Sequence, residues 1–375
     1  MNTNLTDIKT IVVKIGTTLL SGPSGFDGRV VEDVVKELCT IKPERGLNVL
    51  VVSSGAVGCG MDSLGLKQRP RLLRLKQATA AVGQARLMHY YETLFRTFGN
   101  GLHAAQVLLS AGDLEERQRY LNIRNTIHAL FDMGNVVPIV NENDSVAIEE
   151  LKFGDNDTLA ARVAAKIGAD LLIILSDVDG LFDRNPARHP GARLIEEVRQ
   201  VTSEIEAYAT DTEVETSVGG MTTKLTAAKI ACAAGLRTII ANGHRPGVLR
   251  QVLAGEGPST TFYASPEAMS QRKRWIAFGR SARGRIAVDA GARKALIERG
   301  SSLLAAGITS VQNKFEAGDS VRIVDAEGLD IARGLTNYSS SQIERIKGRK
   351  SQEIEALLGR KDYDEVIHRD NLVIL

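Results

Sequence analysis

The chain has 375 residues, of which 43% are hydrophobic and 25% are charged, and its formal net charge is +2. This composition is typical of a folded globular protein and excludes a chain that is disordered throughout. The most hydrophobic run, residues 171–175, is far shorter than the ~20 residues that a membrane-spanning helix needs, so we expect no membrane partner. Because the N-terminus also lacks the basic and hydrophobic segments of a signal peptide, we predict a cytoplasmic location.

Between residues 10 and 262, short runs rich in β-branched residues alternate with longer segments of helical period. The predicted strands cover 10–16, 48–55, 101–109, 135–144, 170–177 and 237–243. The predicted helices cover 28–42, 71–98, 120–133, 157–168 and 222–234. Strands that alternate with helices form a parallel sheet under right-handed crossovers, with helices on both faces. The pattern predicts an α/β fold, a three-layer αβα sandwich with a mainly parallel central sheet, over residues 1–264.

The sequence changes character after residue 264. A basic stretch, 265–282, is typical of a linker. Beyond it, short alternating runs at 285–289 and 320–325 are separated by turn residues such as Gly318 and Gly328. Because such alternation is typical of half-buried antiparallel strands, we predict a second, small domain of β-barrel type over 283–375.

Four predicted strands end in small, charged or amide residues. Since ligands bind beyond the carboxyl ends of parallel strands, these residues should meet at a single edge of the sheet. Each pair alone could be an ordinary turn or helix cap, but the coincidence of four favours a functional site. The residues are Lys14 and Gly16, Ser54 and Gly55, Asn141 and Asp144, and Ser176 and Asp177.

Two further loops precede predicted helices. The segment 154–158 carries Asp155, Asn156 and Asp157, and the segment 219–224, GGMTTK, ends in Lys224. Backbone N–H groups at a helix start, together with a lysine, form a natural phosphate site. Capping of the helix is the alternative role for Asp157.

Several common catalytic and nucleotide-binding motifs are absent from the sequence, which limits the classes of reaction that it could catalyse. The sequence has no GxxxxGK[ST] loop, no GxGxxG loop after a strand, no HExxH and no GxSxG, and none of its six histidines lies in the loops above. Lysines, glycines, carboxylates and amides suit phosphoryl transfer, whose transition state is stabilised by cations and oriented amides. A carboxylate acceptor is already ionised at pH 7 and needs no general base, which agrees with the lack of histidine.

The three cysteines give no sign of a disulfide or a metal site. Cys39, Cys59 and Cys232 are far apart and form no C-x-x-C motif. This spacing disfavours a disulfide framework and a zinc site. We therefore expect reduced, structural thiols and no metal ion held by the protein's own ligands.

The loops resemble, in order and spacing, the amino acid kinase superfamily and, within it, the glutamate 5-kinase family. The strings that carry the resemblance include VVKIGTT (12–18), VSSGAVG (52–58), FGDNDTLAA (153–161) and GGMTTKLTAA (219–228). Residues 284–308 are similar to the start of a PUA domain, so the resemblance covers about 8–375. It implies ATP-dependent phosphorylation of the γ-carboxylate of L-glutamate, the first step of proline biosynthesis, with Mg²⁺ bound to the ATP.

The resemblance also implies residue roles. The predicted catalytic residues are Lys14, Lys224 and Asp157, with both lysines gripping the transferred phosphoryl group. The predicted substrate-binding residues are Ser54, Gly55, Asn141, Asp144, Asp155 and Asn156. The predicted ATP-binding residues are Lys14, Gly16, Ser176, Asp177, Val218, Gly219, Gly220, Met221, Thr222, Thr223 and Lys224. By residue chemistry alone, Asp144 suits an α-ammonium group and Ser54 an α-carboxylate, but nothing in the spacing separates glutamate from aspartate.

Two alternatives stay open at this point. One is another kinase of the superfamily, acting on N-acetylglutamate, aspartate or isopentenyl phosphate; Asp144 suits a free ammonium group and so disfavours the acetylated and phosphorylated substrates. The other is an RNA contact through the basic stretch 271–299, for which a solvated linker is the simpler interpretation. We also expect a homo-oligomer (dimer or tetramer) and feedback inhibition by proline at the glutamate pocket. The basic loop 67–75 is either a lid or a plain surface loop.

Overall fold

Eight strands of the N-terminal part of the chain form one sheet in the computed structural model, which describes residues 5–22, 25–146, 155–210, 220–264, 282–361 and 363–375. The strands of this part are β1 (Thr10–Ile15), β2 (Ser21–Gly22), β3 (Gly25–Phe26), β4 (Asn48–Ser53), β5 (His103–Leu109), β6 (Val136–Glu142), β7 (Leu171–Ser176), β8 (Glu197–Val198), β9 (Arg237–Asn242) and β10 (Ser259–Phe262). The sheet has the order β5-β6-β4-β1-β7-β9-β10-β8, and β2 and β3 form a separate pair. Every neighbouring pair in the sheet is parallel except β9 and β10, which confirms the prediction of a mainly parallel sheet.

Helices cover both faces of this sheet. They are α1 (Arg29–Arg45), α2 (Ala56–Ser63), α3 (Leu73–Phe98), α4 (Ala111–Glu115), α5 (Arg117–Asp132), α6 (Asn156–Ile167), α7 (Ser203–Thr210), α8 (Met221–Ala233) and α9 (Val248–Ala254). Five of them, α1, α3, α5, α6 and α8, agree with the predicted helices to within one helical turn. The predictions missed α2, α4, α7 and α9, which are short.

Two hydrophobic clusters, one on each face, hold the sheet between its helices. In β1, Ile11 and Val13 belong to the cluster that contains residues of α1, α3 and α9, whereas Val12 belongs to the cluster of α5, α6 and α8. Side chains of a strand alternate between the two faces, so Lys14 shares the face of Val12. The alternation of β1 therefore directs this lysine toward the α6 and α8 side.

The helices α2 and α3 approach each other closely at two glycines. A Cβ atom at Gly83 would lie 1.8 Å from the carbonyl oxygen of Ala56, and one at Gly60 would lie 1.9 Å from that of Thr79. No side chain fits at such distances, so only glycine permits this backbone contact. The contact fixes the N-terminal end of α2 against α3.

The C-terminal part has its own small sheet and hydrophobic cluster. Its strands are β11 (Gly284–Val288), β12 (Ile308–Gln312), β13 (Ser320–Val324), β14 (Asp330–Leu335) and β15 (Leu372–Ile374), in the order β12-β11-β13-β14-β15. Its helices are α10 (Ala290–Arg299), α11 (Ser340–Ile346) and α12 (Ile354–Leu358). Three of its four neighbouring pairs are antiparallel, in line with the prediction of antiparallel strands. The strands β11 and β13 are parallel, because α10 and β12 intervene and return the chain to its starting direction.

The contacts within the chain separate two units, Met1–Ala268 and Met269–Leu375. The predicted linker, 265–282, lies outside the described residues apart from Ala282. The exact domain boundaries and the RNA contact therefore stay predictions. In the described part of the chain, no helix combines the length and hydrophobicity that crossing a membrane requires.

Candidate active site

A cavity of about 360 Å³ lies at the carboxyl ends of β1, β4, β6 and β7. These strands are neighbours in the sheet, so residues far apart in the sequence meet there. Predicted site residues that line the cavity are Lys14, Gly16, Ser54, Gly55, Asn141, Asp144, Asp155, Asn156, Asp157, Ser176 and Lys224. The structure thus brings them to one edge of the sheet, while the role of each stays a prediction.

Two buried lysines share one buried carboxylate in this cavity. The Nζ atom of Lys14 lies 2.5 Å from Oδ1 of Asp157, and the Nζ atom of Lys224 lies 3.7 Å from its Oδ2. The side chain of Asp157 is 0% exposed, and those of Lys14 and Lys224 are 5% and 7% exposed. The hydroxyl of Thr223 donates a hydrogen bond to Asp157 Oδ2 at 2.8 Å. Three elements, β1, α6 and α8, therefore converge on a group with a formal charge of +1.

The charges of this group shift its pKa values. Burial works to raise the pKa of Asp157, but the field of Lys14 and Lys224 outweighs it, so the pKa lies below its ordinary value. Burial lowers the pKa of Lys224; Asp157 opposes this effect, and Lys14 adds to it. Burial raises the pKa of Asp155. Asp157 is thus held as an anion, which keeps a counter-charge beside the lysines.

Gly16 leaves room for the Lys14 ammonium group. A Cβ atom at this position would lie 3.2 Å from the carbonyl oxygen of Leu175 and 3.4 Å from the Nζ atom of Lys14. A side chain would therefore crowd the lysine and the end of β7. Glycine avoids this crowding at the cavity wall.

The side-chain amide of Asn156 links the ends of two strands, β4 and β6. Its Nδ2 atom lies 3.1 Å from the Ser53 carbonyl oxygen, 3.1 Å from Ser54 Oγ and 3.0 Å from Asn141 Oδ1, so its two hydrogens are shared among three acceptors. Asn141 in turn donates a hydrogen bond to Gln84 Oε1 at 2.9 Å. The amide network fixes the positions of Ser54 and Asn141 at the cavity wall.

Asp155 caps the helix that carries Asn156 and Asp157. Its Oδ1 atom accepts a hydrogen bond from the backbone N–H of Thr158 at 2.7 Å, the usual N-cap contact. The capping role that the sequence offered for Asp157 is therefore filled by Asp155. Asp157 is free of capping and faces the lysines instead.

The predicted nucleotide residues do not all line the cavity. Gly220 is the N-cap of α8, but Met221 packs into the hydrophobic cluster and Thr222 is exposed. Asp177 is also exposed, and it accepts a hydrogen bond from Ser176 Oγ at 3.0 Å. Val218 and Gly219 lie outside the described residues.

Other cavity residues have no role predicted from the sequence. They include Arg69, Met61, Glu142 and the pair Thr17 and Thr18. Thr17, Thr18 and Glu142 directly follow the hydrophobic runs of predicted strands, so the rule that ligands gather beyond strand ends places them at this edge. Arg69 lies far beyond β4, in the loop proposed as a lid, and no local pattern marks it.

A mainly parallel sheet with two lysines and the starts of three helices at its carboxyl edge has the features that phosphoryl transfer requires. A model of the amino acid kinase family matches residues 9–242, and a model of the PUA domain matches residues 284–358.

Curated relatives narrow the family. The glutamate 5-kinase of Syntrophotalea carbinolica is 46% identical to this chain over 99% of it and 98% of its own length. That of Moorella thermoacetica is 48% identical over 99% of this chain and 97% of its own. Among solved structures, carbamate kinase from Giardia lamblia bound to AMP-PNP matches with a TM-score of 0.49 and 19% identity, covering 69% of this chain and 100% of its own. The chain belongs to the amino acid kinase family and, within it, to the glutamate 5-kinases, and it carries a PUA domain.

Proposed function

We propose that this chain transfers the γ-phosphoryl group of ATP to the γ-carboxylate of L-glutamate and forms L-glutamyl 5-phosphate, the first step of proline biosynthesis. The observation that carries the proposal is the buried Lys14–Asp157–Lys224 group at the carboxyl edge of the sheet. Two cations with a single carboxylate between them leave a positive charge, which suits a phosphoryl group in transfer. The curated relatives support the identity of the substrate.

The reaction needs no proton transfer. A γ-carboxylate oxygen of glutamate forms a bond to the γ-phosphorus, and the bond from that phosphorus to the β,γ-bridging oxygen breaks. The electron pair of the broken bond stays on ADP. Lys14 and Lys224 donate hydrogen bonds to the phosphoryl oxygens, and Asp157 positions both ammonium groups.

Glutamate is proposed to bind beside the amide network. The α-ammonium group faces Asp144, and the Ser54 hydroxyl donates a hydrogen bond to the α-carboxylate. Asn156 and Asn141 hold Ser54 and the end of β6 in place, and Gly55 begins α2 at the cavity wall. Asp155 also lines the cavity, and its side chain is proposed to contribute negative charge to the glutamate site.

ATP is proposed to place its phosphates between Lys14, Gly16 and the start of α8, and its remaining part toward Ser176 and Asp177. We propose that Mg²⁺ arrives on the nucleotide. Among the described residues, no group of three or more His, Cys, Asp or Glu side chains is arranged to hold a metal. Mg²⁺ often binds through substrate phosphates and few protein ligands. When bound, it neutralises charge on the phosphates.

Three further proposals concern the enzyme's setting. Proline shares the α-carboxylate and α-ammonium charges of glutamate but has no second carboxylate, so it inhibits by occupying the site that binds these two groups of glutamate.

The chain works as a homo-oligomer. This proposal is supported by Leu75 and Val82, which lie on one side of α3 and are 49% and 41% exposed. It works in the cytoplasm, where its three free cysteines stay reduced.

An ADP-release assay on the purified chain tests the proposed function. Glutamate is compared with aspartate, N-acetylglutamate and isopentenyl phosphate, and only glutamate is expected to support rapid turnover. Inhibition by proline, measured at several glutamate concentrations, should be relieved by excess glutamate. Faster turnover of another substrate would overturn the proposal, and inhibition that glutamate cannot relieve would place proline at a separate site.

A further inference from the structure

The cavity contains a third cation in addition to the two lysines. Arg69 lies in the loop between the end of α2 at Ser63 and the start of α3 at Leu73, and it lines the cavity. Lys14 and Lys224 are paired with Asp157, whereas Arg69 makes no ion pair with any residue in the described ranges. Its guanidinium group therefore has its charge available for a ligand.

The charges around the cavity show where an anionic group of a ligand would lack a cationic partner. Among the described residues, the lining holds four carboxylates, those of Glu142, Asp144, Asp155 and Asp157, and three cations, those of Lys14, Lys224 and Arg69. A ligand carboxylate placed away from the lysines would meet mostly negative charge. Such a group binds well only if a further cation reaches it.

The α-carboxylate of glutamate is an anionic group that must bind away from the two lysines. The γ-carboxylate must lie at the lysines, since that is where the phosphoryl group is transferred. The ammonium group suits the acidic residues of the lining. The α-carboxylate is then left with Ser54, a neutral hydroxyl that already accepts a hydrogen bond from Asn156, and with the start of α2, neither of which carries a full positive charge.

We infer that Arg69 binds the α-carboxylate of glutamate and so selects substrates that carry this group, an inference that rests on the proposed function. A guanidinium group matches a carboxylate with two parallel hydrogen bonds, which a lysine cannot reproduce. Arg69 is exposed and lies in a loop, so its long side chain is free to close over a bound amino acid. Within the segment 67–75, whose residues from Leu73 onward belong to α3, Arg69 thereby gains a defined chemical function in glutamate binding, whereas Arg71 does not line the cavity.

The test compares glutamate with isoglutamine, whose α-carboxylate is replaced by a neutral carboxamide. Arg69→Ala should raise the KM for glutamate by roughly 10- to 100-fold with little change in kcat, because charged hydrogen bonds used equally in ground and transition states are lost. The inhibition constant of isoglutamine against glutamate should stay nearly unchanged. The KM of Arg69→Lys for glutamate should lie between those of the original chain and Arg69→Ala, since lysine keeps the positive charge but cannot form the two parallel hydrogen bonds. The matched control is Arg71→Ala, an exposed arginine of the same loop outside the cavity lining, which should behave like the original chain.

Several outcomes would overturn the inference. Equal weakening of glutamate and isoglutamine would show that Arg69 does not contact the α-carboxylate. A rise in the KM for ATP alone would assign Arg69 to the nucleotide. Unchanged kinetics in Arg69→Ala would remove it from the site. If the original chain fails to phosphorylate glutamate at all, the proposed function fails, and glutamate binding by calorimetry with Arg69→Ala then decides the contact separately.

Discussion

At the scale of single residues, Asp157 governs the charge of the site. It is completely buried, and its two oxygens face different lysines. Without it, two ammonium groups would share a buried cavity with no anion held between them, which is strongly unfavourable. If Asp157 positions the lysines, as proposed, its effect should be visible in their protonation.

The pH dependence of Asp157→Asn tests this role. The ammonium form of Lys224 is present below its pKa and is lost as the pH rises through it, so kcat should fall on the alkaline side. Asp157 raises the pKa of Lys224 against the effects of burial and Lys14. Removing the negative charge should therefore move the alkaline limb of the kcat profile to lower pH, in addition to lowering kcat.

The control for this profile is Asp132→Asn, an exposed carboxylate at the end of α5. Its alkaline limb should coincide with that of the original chain. An Asp157→Asn variant that loses activity equally at every pH would contradict the positioning role. Circular dichroism of both variants distinguishes a shifted limb from loss of the fold.

At the scale of elements, the contact between α2 and α3 connects packing with substrate binding. The N-terminal end of α2 forms part of the cavity wall at Gly55 and Ala56. On α3, Gln84 follows Gly83 directly and accepts a hydrogen bond from Asn141 at the same wall. A change in the distance between the two helices should therefore disturb the glutamate pocket.

Gly83→Ala tests this connection. The new Cβ atom would lie 1.8 Å from the carbonyl oxygen of Ala56 and 2.3 Å from the backbone nitrogen of Gly60, so the helices must separate. We expect a loss of roughly 1–3 kcal/mol or more in the free energy of unfolding, and a raised KM for glutamate with a smaller effect on the KM for ATP.

Gly112→Ala is the matched control, because this helical glycine has no atom within 4 Å of the added Cβ. It should leave both quantities unchanged or gain stability slightly, since alanine favours helix. A Gly83→Ala chain as stable as the control would show that α2 and α3 can separate without a loss in the free energy of unfolding. A stable chain with normal glutamate binding would contradict the connection itself.

The elements that could be predicted from the sequence are those whose pattern is local. The central strands and α1, α3, α5, α6 and α8 carry long, regular hydrophobic periods, and the ends of four strands pointed to the cavity. The helix α2 was missed because its sequence, AVGCGMDS, holds two glycines and depends on packing against α3. The places of Gln84 and Arg69 are set by how α3 and its loop pack on the sheet, which no local pattern records.

At the scale of the whole molecule, each unit has a core of its own. Described residues of the two clusters on the large sheet all precede residue 263, and those of the third cluster all follow residue 285. Each core is large enough to fold a domain of its length. The residues that line the proposed active site also belong to the first unit alone.

A chain that ends at residue 264 should therefore fold and retain glutamate kinase activity. We expect a turnover number near that of the full chain, because no cavity residue is removed. Residues 283–375 expressed separately should show a cooperative thermal transition. The comparison uses ADP release for the first fragment and circular dichroism for both. An inactive but folded first fragment would show that the PUA domain takes part in turnover.

The alternation of side chains between the two faces of β1 also determines which insertions and deletions in this strand keep Lys14 in the cavity. β1 is paired with β4 on one side and β7 on the other, so its register is fixed from both edges. Loss of one codon between those for Thr10 and Lys14 would leave the strand hydrophobic but turn the lysine to the opposite side of the sheet, toward α1 and α3. Loss of two codons would restore its direction at the cost of a shorter strand. Insertions or deletions of an even number of residues in this stretch should thus be tolerated better than those of an odd number, because they keep Lys14 on its side of the sheet. Substitutions at Ile11, Val12 and Val13 do not change the direction of Lys14, so their effect should depend on the volume of the new side chain.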